Sequence, residues 1–204
     1  LGTAEGASRP ATDEEAATKK MTDDTGYNSQ QYASYASCYK WKALLIGELG
    51  NYVPLKEKIA NAFVIKDLFL QSLDMQQKSR RSNTAADETG TSPGDDDRGQ
   101  DPVVLFGMGE WCARVAATGY LQRKLAATLF AVPPESSYDD ACQWYRQAIQ
   151  EKPDFKRCYY CLGDALWAMG HKEQARSEGY RPCLAIPSSR PFEHELDTLA
   201  KKRL

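Results

Sequence analysis

At 204 residues, with 42% hydrophobic and 26% charged side chains, the chain is long enough to bury one real core. Its mean hydropathy of -0.60 is low for a compact globule and points to ordered parts diluted by polar ones. The 26 Lys plus Arg against 28 Asp plus Glu leave a net charge of -2, which argues against a dedicated nucleic-acid binder, and no apolar run approaches the roughly 18 to 20 residues of a membrane span, so no integral membrane helix is expected.

The chain opens at Leu1 rather than Met, the mark of a fragment or processed product. Residues 1–33, "LGTAEGASRPATDEEAATKKMTDDTGYNSQQYA", carry almost no bulky aliphatics after Leu1 and read as a disordered N-terminal segment. A helical-repeat domain is expected over 34–204. It opens with "YASCYKWKALLIGELGNYVPLKEKIANAFVIKDLFLQSLDM", which splits into two helices around Gly50 and Asn51. The second helix should run roughly 20 residues, with Pro54 in its first turn.

Residues 76–101 contain no Val, Ile, Leu, Phe, Trp, Tyr or Met and read as a disordered loop that interrupts the domain. Within it, Arg80 and Arg81 precede Ser82 and Thr84, a pattern that a basic-directed kinase would recognise. Asp101-Pro102 then supplies a cap and a first-turn proline for the helix "DPVVLFGMGEWCARVAA". The stretch "GYLQRKLAATLFAVPP" is long enough for one inserted helix, which Pro133-Pro134 would end.

The next helix carries Ala141, Trp144, Tyr145, Ala148 and Ile149 on one face, with Ser136 and Ser137 as caps and Asp139 and Asp140 three residues on. Counting from Lys156, residues Tyr159, Leu162, Gly163, Gly170, Ala175 and Pro187 occupy positions 4, 7, 8, 15, 20 and 32. That is the tetratricopeptide pattern of about 34 residues, two antiparallel helices per unit. Gly163 and Ala175 should sit where the helices approach most closely. Gly179 and Pro182 break the pattern, so the second helix of this unit should be kinked, short or frayed. The fold class that follows is all-α: a short tetratricopeptide-like solenoid of about three helix pairs with one inserted helix.

Several blocks resemble the regulator of microtubule dynamics family: the stretch opening at Lys40-Trp41, "KIANAFVIK" at 58–66, "GEWCARVA" at 109–116, "LQRKLAATLFAVPP" at 121–134 and "SSYDDA" at 136–141. The inserted segment ending in Leu129, Phe130, Pro133 and Pro134 is the most diagnostic, since ordinary tetratricopeptide units lack it. The resemblance covers about 38–200. It implies a cytoplasmic, microtubule- or spindle-associated adaptor, with tubulin or a microtubule-associated protein as partner. One branch of the family is linked to lipid handling at organelle contacts, which implies the alternative of a phospholipid-binding module at the mitochondrial surface. The family joins its first two units by a short Asn-Pro-type turn where this chain carries residues 76–101, and its upstream helices are not recognisable in 1–33, nor are the membrane anchor and tethering motif that one branch carries upstream.

Chemistry-bearing motifs are few. Cys158 and Cys161 form a CxxC with His171, Cys183 and His194 downstream, but the pair falls inside a helix and has no second CxxC, so burial as small hydrophobes is expected rather than zinc or redox chemistry. Six cysteines at this density suit a reducing, intracellular compartment. Both histidines should face solvent. No nucleophile–histidine–acid set, phosphate-cradling loop or paired-carboxylate motif is visible, so no enzyme, cofactor or metal is expected. Trp41, Trp111, Trp144 and Trp167 lie on helical apolar faces where core packing is the default. The candidate partner-binding residues are Trp111 and Trp144 together with the basic residues Arg123, Lys124, Lys156 and Arg157, and Lys201-Lys202-Arg203 forms a further basic cluster.

Overall fold

A computed structural model describes residues 27–86, 99–118 and 135–204, and the described residues are helical with no strand. In chain order the elements are α1 (Ser29–Leu49), α2 (Leu55–Ala86), α3 (Pro102–Ala116), α4 (Tyr138–Glu151) and α5 (Lys156–Ala168). Then α6 (Lys172–Gln174), a π-helical segment (Ala175–Tyr180) and α7 (Arg181–Ala185) run on without a break, and α8 (Pro191–Lys201) follows. The expected inserted helix at 121–134, with Arg123 and Lys124 on it, lies outside the described residues.

α1 and α2 form an antiparallel pair: Ser29 meets Ser79 at one end, and Gly47 meets Ile65 at the other. α1 starts earlier than expected. Asn28 accepts from the Gln31 backbone N–H and Gln31 returns a bond to the Asn28 backbone, a capping box that makes residues 29–33 helical. α2 runs 32 residues, so positions 76–86 are helix where a loop was expected. Polar tertiary ties hold this extension. Ser79 donates to the Ser29 carbonyl at 2.9 Å and Gln76 accepts from the Asp101 N–H at 2.8 Å, while just before the extension buried Ser72 donates to the Ala36 carbonyl at 2.8 Å. Arg80, Arg81 and Ser82 therefore sit on a helix.

α3 and α4 are the second antiparallel pair. Asp101 caps α3 by accepting from the Val103 N–H, and Ser137 caps α4 in a capping box with Asp140. Ala141, Tyr145 and Ala148 are buried, and Trp144 and Ile149 are half-buried, as the face count predicts. The third pair is α5 against the π segment and α7. Between them, Gly170 takes φ +85°, and the Gly170 and His171 amides reach back to Trp167 and Leu166, a left-handed cap for which glycine is suited.

Pairs two and three repeat one joint. In pair two, Tyr145 lies flat against Gly109 and donates to Glu110 at 2.7 Å. In pair three, Tyr180 lies flat against Gly163 and donates to Asp164 at 2.7 Å. A Cβ at Gly109 or Gly163 would fall 2.5 Å or 2.7 Å from the ring. The buried alanine that precedes the tyrosine is Ala141 in an α-helix, four residues back, and Ala175 in a π-helix, five residues back. One π turn thus absorbs one extra residue and returns the tyrosine to the same face. Gly179, where the pattern wants an aromatic, instead lets the backbones touch: a Cβ there would lie 2.4 Å from the Gly163 Cα. The expected distortion of this helix takes that form, and Pro182 opens α7 harmlessly near its first turn.

Candidate functional site

The first helix of each pair contributes to one shallow groove. Its floor is Trp111 of α3, buried and tied by its indole N–H to the Ala62 carbonyl at 2.7 Å. Leu44 and Glu48 of α1, Phe106, Glu110 and Arg114 of α3, and Arg157 of α5 form the walls of a cavity of about 170 Å³. Arg157 lies over the Phe106 ring at 5.4 Å and Lys66 over the Trp111 ring at 5.0 Å, so two cations sit on aromatic faces. Behind the groove, Phe106 packs on Tyr145 and Phe155 with centroids 5.8 Å and 5.0 Å away, which fixes the ring under Arg157. Glu110 accepts from Tyr145 and lies 3.8 Å from Arg114, so it is partly neutralised, and Glu48 is a second carboxylate of the groove beside the two arginines.

Of the sequence-derived candidates, Trp111 and Arg157 meet in this groove. Trp144 is half-buried and lies outside the cavity lining. Lys156 overturns its expectation. Its side chain is 3% exposed, forms an ion pair with Asp197 at 2.6 Å and donates to the Cys183 and Ile186 carbonyls at 2.9 and 2.6 Å. It is a structural clamp that fastens α8 and the end of α7 to α5. A lysine at a helix start normally stays in water, and the partner that draws this one inward lies far along the chain. Burial by itself raises Asp197, but the bonds from Lys156 and Ser188 win and hold its carboxyl below the usual value.

Trp41 also departs from expectation: it is 59% exposed on the outer face of α1, beside exposed Leu45 and Leu49. The cysteines do not form a centre. Cys158 is fully buried and donates to the Tyr145 carbonyl at 3.3 Å, and no group of residues suited to a metal ion occurs among the described residues. Burial pushes the Cys142 and Cys183 thiols up to about 11 and raises Cys161, next to the Glu110 charge, well above its ordinary value. Such thiols stay protonated and are poor nucleophiles. His171 and His194 are exposed, as expected. Sequence reasoning missed Arg114 and Phe106. Arg114 falls four residues after Glu110, and that spacing was the available signal.

The family model for regulator of microtubule dynamics protein 1-3 matches residues 98–204, just over half of the chain. The bovine regulator of microtubule dynamics protein 1 is 33% identical over 137 residues, 63% of this chain and 36% of the relative. Its human counterpart is 32% identical over 123 residues, covering 60% and 32% of the two chains. The regulator of microtubule dynamics protein 3 of Xenopus laevis is 25% identical over 137 residues, 63% of this chain and 25% of the relative. The chain thus spans between about a quarter and just under half of the length of the curated relatives it matches.

Proposed function

Because the chain belongs to the regulator of microtubule dynamics family, we propose that it is a non-enzymatic interaction module that associates with microtubules or with a protein bound to them. The carrying observation is the groove shared by α1, α2, α3 and α5, in which Arg157 lies over Phe106 and Arg114 stands beside Glu110, next to the Trp111 floor. A partner segment laid there would find aromatic surface to cover and cations to meet, the composition of a binding hot spot. The burial of Cys112, Cys142, Cys158 and Cys183 supports the non-enzymatic reading, and so does the engagement of Glu110 with Tyr145 and Arg114.

In this reading, which rests on the family membership, the chain acts at microtubules or the spindle. Among the described residues no helix is long and apolar enough to cross a membrane. The phospholipid alternative is not carried forward: the matching relatives are named for microtubule dynamics. Co-sedimentation with polymerised tubulin tests the proposal. Wild-type chain should pellet at micromolar concentration in a salt-sensitive manner, and Arg114→Glu with Arg157→Glu should lower the pelleted fraction several-fold. Equal pelleting of wild type and this variant would overturn the groove assignment.

A further inference from the structure

Trp167, near the C-terminal end of α5, carries three cations around one indole. The Arg203 guanidinium lies 4.8 Å from the ring centroid, the Lys172 ammonium 5.3 Å and the Arg176 guanidinium 5.7 Å. Three positive groups held this close repel one another, and the nearby acids do little to offset them. Glu173 pairs with Arg176 alone, and Asp164 is turned to the Tyr180 hydroxyl at 2.7 Å. Among the described residues, neither Lys172 nor Arg203 has a carboxylate within ion-pair distance. The cluster is also built rather than loose. The Arg176 Nε donates to the Arg203 carbonyl at 3.0 Å, and Trp167 is backed by Tyr180 at 6.2 Å.

We propose that this aromatic-backed cationic cluster is a docking site for an acidic, extended polypeptide segment, a second surface beyond the groove at Trp111. The cations all lie within 5.7 Å of one centroid, so they are at most about 11 Å apart. In an extended chain alternate side chains share one face at about 7 Å separation, so a Glu-x-Glu stretch places two carboxylates on two of the cations. The indole between them covers the intervening methylene groups. A nucleic acid or an anionic membrane fits less well. Each is a broad polyanion, and a chain of net charge -2 offers it no overall attraction beyond local clusters.

The test is fluorescence anisotropy of a fluorescein-labelled ten-residue polyglutamate titrated with the full chain at low salt. Saturable binding is expected, weakened at least tenfold by Lys172→Glu with Arg203→Glu. The neutral pair Lys172→Gln with Arg203→Gln should weaken it by a smaller factor. Lys56→Glu with Lys58→Glu makes the same change in net charge at exposed positions of α2 and should alter affinity less than twofold. Thermal melts of each variant confirm that the fold is kept, and the glutamine pair decides should the glutamate pair fail to fold. Absent saturable binding, or equal loss in the Lys56/Lys58 variant, would overturn the site. So would tighter binding of anionic vesicles or a single-stranded oligonucleotide, which would make the cluster a general polyanion surface.

Discussion

Lys156→Ala should be among the most damaging single substitutions in pair three. The ammonium is 3% exposed and holds three oxygens: the Asp197 carboxylate at 2.6 Å and the Cys183 and Ile186 carbonyls at 2.9 and 2.6 Å. Removing it leaves the charge of Asp197 without its partner, at a site where breaking a buried pair costs about 3 to 5 kcal/mol. Asp197 retains 22% side-chain exposure, so water recovers part of that loss and the lower end, about 3 kcal/mol, applies. For a chain of this size about 3 kcal/mol lowers Tm by roughly 6 to 12 °C. The control is Lys152→Ala, whose partner Asp154 is 73% exposed and whose loss should shift Tm by at most about 4 °C. The pH dependence has a definite sign. The folded-state value of Asp197 lies below its ordinary value of 3.8. The contribution of the pair is therefore complete above that value and is lost as pH falls through the lower folded one. Circular-dichroism melts at pH 7 and in steps below pH 4 read both effects. A Lys156→Ala melt within 2 °C of wild type at pH 7 would refute the clamp.

Other outcomes follow from the packing. Gly179→Ala should cost more than Gly109→Ala, because the added methyl meets Gly163 backbone at 2.4 Å in one case and the Tyr145 ring at 2.5 Å in the other. A ring can shift for about 1 to 3 kcal/mol, and denaturant midpoints will rank the two. Tyr145→Phe should lower stability by about 1 kcal/mol by removing the donor to Glu110, measurable in the same titration. With a thiol reagent at neutral pH, Cys38, which is exposed, should react in a single fast phase that Cys38→Ser abolishes, while the buried thiols wait for unfolding. Trypsin should cut slowly at Arg80 and Arg81, since both lie on α2, and rapid cleavage there would refute the helical extension.

What the sequence disclosed, and what it did not, divides along local and non-local lines. The caps at Asp101 and Ser137, the apolar face of α4 and the distortion around Gly179 and Pro182 are written within a few residues of where they act, and they were legible. The capping box at Asn28 and Gln31 was equally local and was passed over because the surrounding composition is polar. The extension of α2 through 76–86 was not legible from its own residues. It has no apolar stripe of its own and is held by Ser29 of α1 and by Asp101, the cap of α3. The burial of Lys156 depends on Asp197, and the groove depends on four helices brought together, so neither has a short-range signature. The Gly–Tyr joint was half legible. The small residues were marked as contact points, but the ring that fills pair three comes from Tyr180, one residue beyond the repeat position, through a π turn that no periodicity count anticipates.

Hydrogen exchange of the chain with and without polymerised tubulin tests the central claim most directly. The helices that build the groove should gain protection at residues 44–48 of α1, 106–114 of α3 and the Arg157 end of α5, while the outer face of α2 exchanges unchanged. Binding without added protection in those three stretches, or protection confined to α2, would contradict the account.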